Sequence, residues 1–242
     1  GNGIELLDTP GVLWPKFDDP LVGDRLSFIG SVKDEVTDSE TIEKTPDRDL
    51  KIQFIGDSIT DCSRGRQEDI YAWAPQHHGT SYVADVEAEL LISYTDLKIK
   101  VLNRGTADNT VRDLKERWQK DVLDWQPDWV FVFIGINDVW HELGGQNGVE
   151  ADRFYTVLKM LADDTIARFP KIRMIFMEPF TLNTGVVAEN WDYFREETAL
   201  RGAAVKRVAE EVGGLYLPLQ EKFNAACETC DASYWLRDGV HP

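Results

Sequence analysis

The sequence predicts an α/β fold built on a parallel β-sheet, and two observations carry this prediction. From Leu50 onward, short apolar runs rich in Ile, Val and Phe alternate with longer segments whose apolar residues recur every three or four positions. At 242 residues, the chain is long enough for one generous α/β domain, or for one domain with an appendage. Parallel strands need crossover connections, which are usually helical, so the alternation favours a parallel sheet covered on both faces.

Five apolar runs are predicted as strands. They are KIQFIG (51–56), LKIKVLN (97–103), DWVFVFIG (128–135), IRMIFME (172–178) and LYLPL (215–219). Four amphipathic segments between them are predicted as helices, at residues 81–93, 110–124, 151–168 and 191–212. In such sheets the functional groups collect at the carboxyl ends of the strands, so candidate site residues are sought there.

Residues 1–49 follow a different pattern and are predicted to form an irregular extension ahead of a domain over residues 50–242. The stretch DEVTDSETIEKTPDRD (34–49) is acidic and poor in core-forming residues, which is typical of an exposed linker. Earlier, DTPG (8–11) matches a tetrapeptide that nucleotide switches place beside a γ-phosphate. The sequence contains no GxxxxGK[ST] loop and no NKxD, so this motif stands without the rest of a nucleotide site.

Charge and composition argue against several classes of function. The 43 acidic and 26 basic residues give a net charge of −17, which would repel nucleic acids and anionic membrane surfaces. No apolar run approaches the length of a membrane helix and no signal-peptide pattern is seen, so a cytoplasmic location is the default expectation. Cys227 and Cys230 form one CxxC without a second ligand pair, which favours ordinary thiols over a metal or redox site.

Small polar residues and glycines follow the first three predicted strands. Ser58 in GDSIT directly follows the first strand, where a hydroxyl can act as a nucleophile, although an isolated serine there is more often a helix cap. The next two strands lead into NRGT (103–106) and GIND (135–138). Acyl transfer requires N–H donors aimed at the developing oxyanion. We predict the backbone N–H groups of Ser58 and Gly105 and the side-chain amide of Asn137 as donors, with a plain turn glycine as the alternative at Gly105.

The last block is DGVH (238–241). A serine hydroxyl needs a base, and neutral histidine is the usual base near pH 7. Asp238, three residues before His241, can hold the imidazole in the tautomer that accepts the serine proton. A DxxH pattern alone is more typical of a surface loop. In combination with the other three blocks, it indicates a Ser-His-Asp triad.

The four blocks, in this order, resemble those of the SGNH hydrolases in the GDSL esterase and lipase superfamily. The blocks are Ser58 in FIGDSITD, Gly105 in LNRGTADNTVRDL, Asn137 in FIGINDVW and His241 in LRDGVHP. The resemblance covers residues 50–242 and implies a flavodoxin-like three-layer α/β/α fold without metal or organic cofactor. It also implies Ser58 as nucleophile, His241 as base and Asp238 as its partner. Members normally continue past the His-Pro with a helix, which the sequence lacks.

Within that family, GINDVWHELGGQNGV and YWLRDGVHP look most like small-ester hydrolases, including many that remove acetyl groups from carbohydrates. The expected partner is therefore a small-molecule ester or an acetylated carbohydrate. Trp140 and Trp235 are predicted as a sugar-stacking rim, with buried packing as the alternative. His77 and His78 are predicted to contact substrate, with an idle exposed loop as the alternative.

Residues 2–35 resemble the switch region of circularly permuted ribosome-assembly GTPases. The alternative interpretation of this region is a strand followed by a Pro-Gly turn that packs on the hydrolase. Three functions therefore stay open at this stage. The chain is an active serine esterase, a catalytically impaired carbohydrate-binding module of the same fold, or a piece of a GTP-dependent ribosome-assembly factor.

Overall fold

The computed structural model describes residues 49–66 and 78–242. Its five strands form one parallel sheet in the order β2-β1-β3-β4-β5. The strands are β1 (Leu50–Gly56), β2 (Ile99–Gly105), β3 (Trp129–Phe133), β4 (Arg173–Met177) and β5 (Leu215–Leu217). The predicted extension lies almost wholly outside the described residues, so a domain division near Leu50 stays a prediction.

Helices connect the strands and follow the last one. They are α1 (Ser58–Asp61), α2 (Tyr82–Ser93), α3 (Val111–Trp118), α4 (Ile136–Leu143), α5 (Ala151–Arg168), α6 (Trp191–Val212), α7 (Gln220–Ala226) and α8 (Ala232–Trp235). The α3 helix continues as one π-helical segment, Gln119–Leu123, and a 3₁₀ turn, Gly185–Asn190, precedes α6. Within the described part of the chain, none of the helices combines the length and apolar character needed to cross a bilayer.

Alternate residues of the central strands face two separate cores. Phe54 and Phe131 pack with the apolar face of α2, whereas Ile55 and Val130 pack on the other side, where α3, α5 and α6 supply the apolar residues. Burial of both sheet faces requires helices on both sides. The three-layer α/β/α fold is therefore confirmed.

The sheet order brings the ends of three strands together. β1 is central, with β2 on one side and β3 on the other, and Gly56 at its end is in register with both Gly105 and Phe133. The segments that follow β1, β2 and β3 therefore leave the sheet at one edge. This edge holds the predicted nucleophile and the predicted oxyanion residues.

The helices α2, α5 and α6 lie where periodicity predicts them, within one or two residues at each end. The predicted helix at 110–124 is formed by α3 together with the π-helical segment that continues it. Three shorter helices, α4, α7 and α8, are absent from the sequence prediction. They span only eight, seven and four residues, which is too short for a periodic apolar pattern to develop.

Candidate active site

Asp57 places Ser58 at the start of a helix. β1 ends at Gly56, and the Asp57 side chain caps α1 by accepting the Ile59 N–H at 3.0 Å. Ser58 is therefore the first residue of α1 and lies at the carboxyl edge of the sheet. Its own N–H donates no hydrogen bond within the described residues and points from a helix N-terminus, where a negative charge is stabilised.

A loop after α8 carries the predicted acid and base. Gly239 has a φ of +94°, which favours glycine, and its carbonyl accepts hydrogen bonds from Leu182 N at 2.9 Å and Thr181 Oγ1 at 3.0 Å. Within the loop, Asp238 Oδ1 accepts the His241 backbone N–H at 2.8 Å. The segment after β4 therefore fixes this loop against the body of the domain.

The structure brings the three predicted triad residues together. His241 Nε2 lies 2.7 Å from Ser58 Oγ, and His241 Nδ1 lies 2.7 Å from Asp238 Oδ2. Partial burial works against ionisation of Asp238, but hydrogen bonds from His241 outweigh it and hold the pKa of this carboxyl below its usual value. A carboxylate only accepts, so Nδ1 carries the proton and Nε2 is left to accept from the Ser58 hydroxyl.

Gly105 has a different role from the one predicted. Its N–H donates to Asn103 Oδ1 at 2.8 Å and is thus not directed at a substrate oxygen. A Cβ at this position would lie 2.2 Å from Asp61 N and 2.5 Å from the carbonyl carbon of Thr60. The prediction that Gly105 donates to the oxyanion and leaves room for substrate is therefore wrong, because this glycine allows β2 to pack directly against the backbone of α1.

Asn137 lies near the N-terminus of α4 and is oriented by a backbone carbonyl. Its Nδ2 donates to Asn109 O at 3.1 Å, and the residue is 8% exposed. An amide nitrogen carries two hydrogens, so one N–H remains for another acceptor. Asn137 and the Ser58 N–H are the two predicted donors whose geometry leaves a hydrogen free.

Two residues of the predicted substrate rim are buried. Trp235 is 7% exposed, and its indole N–H donates to Ala226 O at 3.1 Å, so it is a core residue. His78 is 1% exposed, and its ring lies against the Glu87 carboxylate without the alignment of a hydrogen bond. The prediction that these two side chains contact substrate is therefore wrong, because both are buried. His77 lies outside the described residues.

Trp140 is half-buried on the outer part of α4, three residues after Asn137. Its ring packs edge-on against Phe194, with 5.3 Å between ring centres. One side of this indole is thus used for packing, and a contact with substrate through its exposed part stays a prediction.

Two buried carboxyl groups under the site escaped the sequence prediction. Burial raises the pKa of Asp57 to about 7 and that of Asp138 to about 8. At Asp138 burial outweighs the hydrogen bond from the Val111 backbone N–H, which favours the ionised carboxylate and so lowers the pKa. Each lies directly next to a predicted site residue, Ser58 or Asn137. Their adjacency to these residues in GDS and GIND was the available signal, but burial is a tertiary property.

Cysteine and metal chemistry have little support in the described structure. Cys227 and Cys230 are free thiols, and burial, followed by the nearby Asp231 carboxylate, raises the pKa of Cys227. A raised pKa keeps the thiol protonated and unreactive. Among residues 49–66 and 78–242, no three His, Cys, Asp or Glu side chains are placed to hold a metal ion.

Known proteins resemble the chain over most of its length. The GDSL-like lipase/acylhydrolase family matches residues 54–242. An acetylxylan esterase of Geobacillus stearothermophilus is 38% identical over 197 residues, covering 79% of this chain and 86% of the relative. Its crystal structure superposes with a TM-score of 0.70 at 39% identity, covering 80% and 86% of the two chains. A GDSL-like lipase from Parabacteroides merdae superposes with a TM-score of 0.76 at 35% identity, covering 81% and 88%.

Several structures of the Geobacillus enzyme are those of catalytic mutants. One mutant lacks a serine, one lacks a histidine, and one lacks an aspartate that lies three residues before that histidine.

A separate stretch of 42 residues is 52% identical to ribosome biogenesis GTPase A of Bacillus licheniformis, but it spans only 15% of that protein. The family match and the extended similarity agree with the order of the blocks around Ser58, Asn137 and His241. The chain belongs to the GDSL-like lipase/acylhydrolase family and is a carboxylic-ester hydrolase.

Proposed function

We propose that the protein is a serine esterase that removes acetyl groups from carbohydrates. One observation carries the proposal: two 2.7 Å hydrogen bonds connect Ser58 through His241 to Asp238. This is the arrangement in which a base can take the proton of a nucleophile while a carboxylate orients that base.

Acylation begins with the Ser58 hydroxyl. Oγ attacks the acetyl carbonyl carbon while His241 Nε2 takes its proton, and the carbonyl π electrons move to the oxygen. Asp238 stabilises the resulting imidazolium through Nδ1–H. The tetrahedral intermediate then collapses. The bond between the acetyl carbon and the sugar oxygen breaks, and this leaving oxygen takes the proton from Nε2. The products of this half-reaction are the free sugar hydroxyl and acetyl-Ser58.

Two donors serve the oxyanion in this scheme. The Ser58 N–H lies at the first turn of α1, and the second N–H of the Asn137 amide is not used by Asn109. Removing a single donor of this kind typically lowers kcat by about 10²–10³-fold. Deacylation repeats the chemistry with water as nucleophile. His241 takes a proton from the water as it attacks the acetyl carbon, and it returns this proton to Ser58 Oγ when the bond from Oγ to the acetyl carbon breaks and acetate leaves.

The substrate class is supported by the relatives. The Geobacillus enzyme is named an acetylxylan esterase, and related structures name it an acetyl-xylooligosaccharide esterase. The family match spans residues 54–242 and the Geobacillus relative covers 79% of this chain, so the similarity extends far beyond a single motif. An acetyl group on a sugar hydroxyl is therefore the substrate that we propose.

Hydrolysis of p-nitrophenyl acetate and release of acetate from acetylated xylo-oligosaccharides test the proposal. The wild type is expected to turn over both, and Ser58→Ala is expected to lose about 10⁵–10⁶-fold in kcat. Ser93→Ala is a matched control, because Ser93 is an exposed residue at the end of α2 whose hydroxyl donates to Glu89 Oε1 at 3.0 Å. It should keep wild-type turnover.

Three outcomes would contradict the proposal. If Ser58→Ala retains turnover, the nucleophile is elsewhere. If the wild type binds acetylated oligosaccharides without releasing acetate, the protein is a binding module of this fold. If p-nitrophenyl acetate is cleaved but acetylated sugars are not, the chemistry stands and the carbohydrate substrate is wrong.

A further inference from the structure

Arg117 on α3 connects the ends of two strands with the loop that follows β2. Its Nε donates to Asn109 Oδ1 at 2.7 Å, and its terminal nitrogens donate to Arg104 O at 2.7 Å and Gly56 O at 2.9 Å. A fourth hydrogen bond, also 2.7 Å, reaches Asp121 Oδ2 and balances the charge. The side chain is 18% exposed. An arginine one helical turn from an acidic residue usually forms a single exposed ion pair on the helix surface. Arg117 forms that pair and also bonds three further acceptors.

Asn109 is the partner with a direct link to the proposed oxyanion hole. Its backbone carbonyl accepts the Asn137 amide at 3.1 Å, while its side chain accepts from Arg117. The residues on either side have their own contacts, because Ala107 N donates to Asp61 Oδ2 at 2.8 Å and Thr110 N donates to Asp113 Oδ2 at 2.7 Å. The other contacts of Asn109 itself are longer: its N–H reaches Thr106 O at 3.3 Å, and its Nδ2 reaches Ala107 O at 3.5 Å. Within the described structure, the bond from Arg117 is the shortest that Asn109 makes.

The direction of the Asn137 amide depends on this carbonyl. One N–H of Nδ2 bonds to Asn109 O, and this bond sets the plane in which the second N–H can point. An oxyanion donor must be held within about 0.5 Å and 10–20° of its productive geometry. A shift of the Asn109 carbonyl would therefore be transmitted to the free N–H.

We propose that Arg117 is a positioning residue for the oxyanion hole, acting by holding Asn109 so that its carbonyl aligns the Asn137 amide. The inference rests on the proposed esterase function. A guanidinium suits this role because its planar fork reaches several acceptors at fixed angles. A lysine ammonium in its place would be a single flexible point charge.

The first experiment measures kcat and KM of Arg117→Lys for p-nitrophenyl acetate. We expect kcat to fall about 10–100-fold, since small errors of placement at a reacting centre have effects of this size, with KM within about threefold of wild type. Trp118→Phe is the matched control. It removes a buried hydrogen bond to Thr165 from the next residue of the same helix, so it should lower Tm and leave kcat unchanged.

A double-mutant cycle separates positioning from a general loss of structure. If Arg117 acts through the amide, Arg117→Lys should change kcat by less than about threefold in an Asn137→Ala background. Asn109→Ala removes the acceptor of Nε but keeps the carbonyl, and it should lower kcat to the same extent as Arg117→Lys. This second variant keeps the test available if Arg117→Lys does not fold.

Two results would overturn the inference. One is wild-type kcat in either Arg117→Lys or Asn109→Ala. The other is an equal fold-loss with and without the Asn137 amide. Failure of the esterase proposal gives a different result, because the wild-type protein itself would then show no turnover that depends on Ser58.

Discussion

Gly105→Ala is expected to destabilise the protein by forcing β2 away from α1. The added Cβ would lie 2.2 Å from Asp61 N, whereas unbonded heavy atoms pack at about 3.5–4.0 Å, so the two elements must separate by about 1 Å or more. Overpacking of this kind typically costs about 1–3 kcal/mol. At this chain length 1 kcal/mol lowers Tm by about 2–4 °C, so the expected fall in Tm is about 2–12 °C.

The same displacement should lower activity, because α1 begins with Ser58. Misplacing a reacting group by about 1 Å can lower the rate about 10²-fold, and we expect kcat of Gly105→Ala to fall by about 10–100-fold. The assay is turnover of p-nitrophenyl acetate well below the Tm of the variant, beside a thermal melt followed by circular dichroism. Alanine keeps the backbone N–H, so the change tests packing rather than loss of a donor.

Gly144→Ala is the matched control for Gly105→Ala. Gly144 ends α4 with a φ of −76°, and the atom nearest to an added Cβ lies 3.5 Å away, an ordinary contact. Its Tm and kcat should stay near wild type. A wild-type Tm and kcat for Gly105→Ala would refute the packing argument, and lost activity at an unchanged Tm would instead mean that the added methyl group crowds the substrate.

Three further substitutions test the electrostatics of the site and the core. Asp238→Asn should lower kcat about 10⁴-fold, because an amide favours the wrong tautomer of His241. Burial raises the pKa of Asp138 from 3.8 to about 8, so its contribution to stability is fully present below pH 3.8 and is lost as the pH rises through about 8. Relative to Asp138→Asn, the wild type should therefore lose about 1.4 kcal/mol of unfolding free energy per pH unit in that window, measured by urea denaturation. Arg201→Leu removes a fully buried cation that pairs with Glu142 and Glu197 and donates to Val149 O. Both carboxylates are partly exposed and can be hydrated by water after the change, so we expect a cost of about 1–3 kcal/mol in the same assay.

Each of these expectations has a clear contrary outcome. A kcat near wild type for Asp238→Asn would mean that the carboxylate does not set the tautomer of the base. Parallel stability curves for Asp138→Asn and wild type would mean that this carboxyl is ionised in the folded protein across the whole range. An unchanged urea midpoint for Arg201→Leu would mean that the buried ion pairs contribute no net stability.

The sheet and the four long helices were predictable because each has a periodic pattern of its own. β1 and α5 need no knowledge of the rest of the chain to be recognised, since their apolar residues recur at the period of the element. The triad was predictable for a different reason, because Ser58 and His241 lie in short blocks whose order is informative. The contact between them, across 183 positions, depends on how the DGVH loop docks on the segment after β4.

The errors concern residues whose surroundings are set by tertiary structure. The N–H of Gly105 is taken by Asn103, and nothing in the spacing of the two residues shows which way the asparagine side chain turns. Trp235 and His78 are aromatic side chains near a site in sequence, but burial depends on what packs over them. Arg117 is not singled out by the sequence analysis, because an i,i+4 relation such as the one to Asp121 is typical of an exposed ion pair.

The wide separation of Ser58 and His241 also has a consequence during synthesis. Chains are made at about 5–20 residues per second, so roughly 10–40 s pass between addition of the nucleophile and addition of the base, which lie 183 positions apart. During that interval β1 and β2 can already pair, but the hydroxyl has no partner to take its proton. Onset of esterase activity in newly made chains would therefore mark the docking of the DGVH loop on the segment after β4, and it would time this folding step without any added probe.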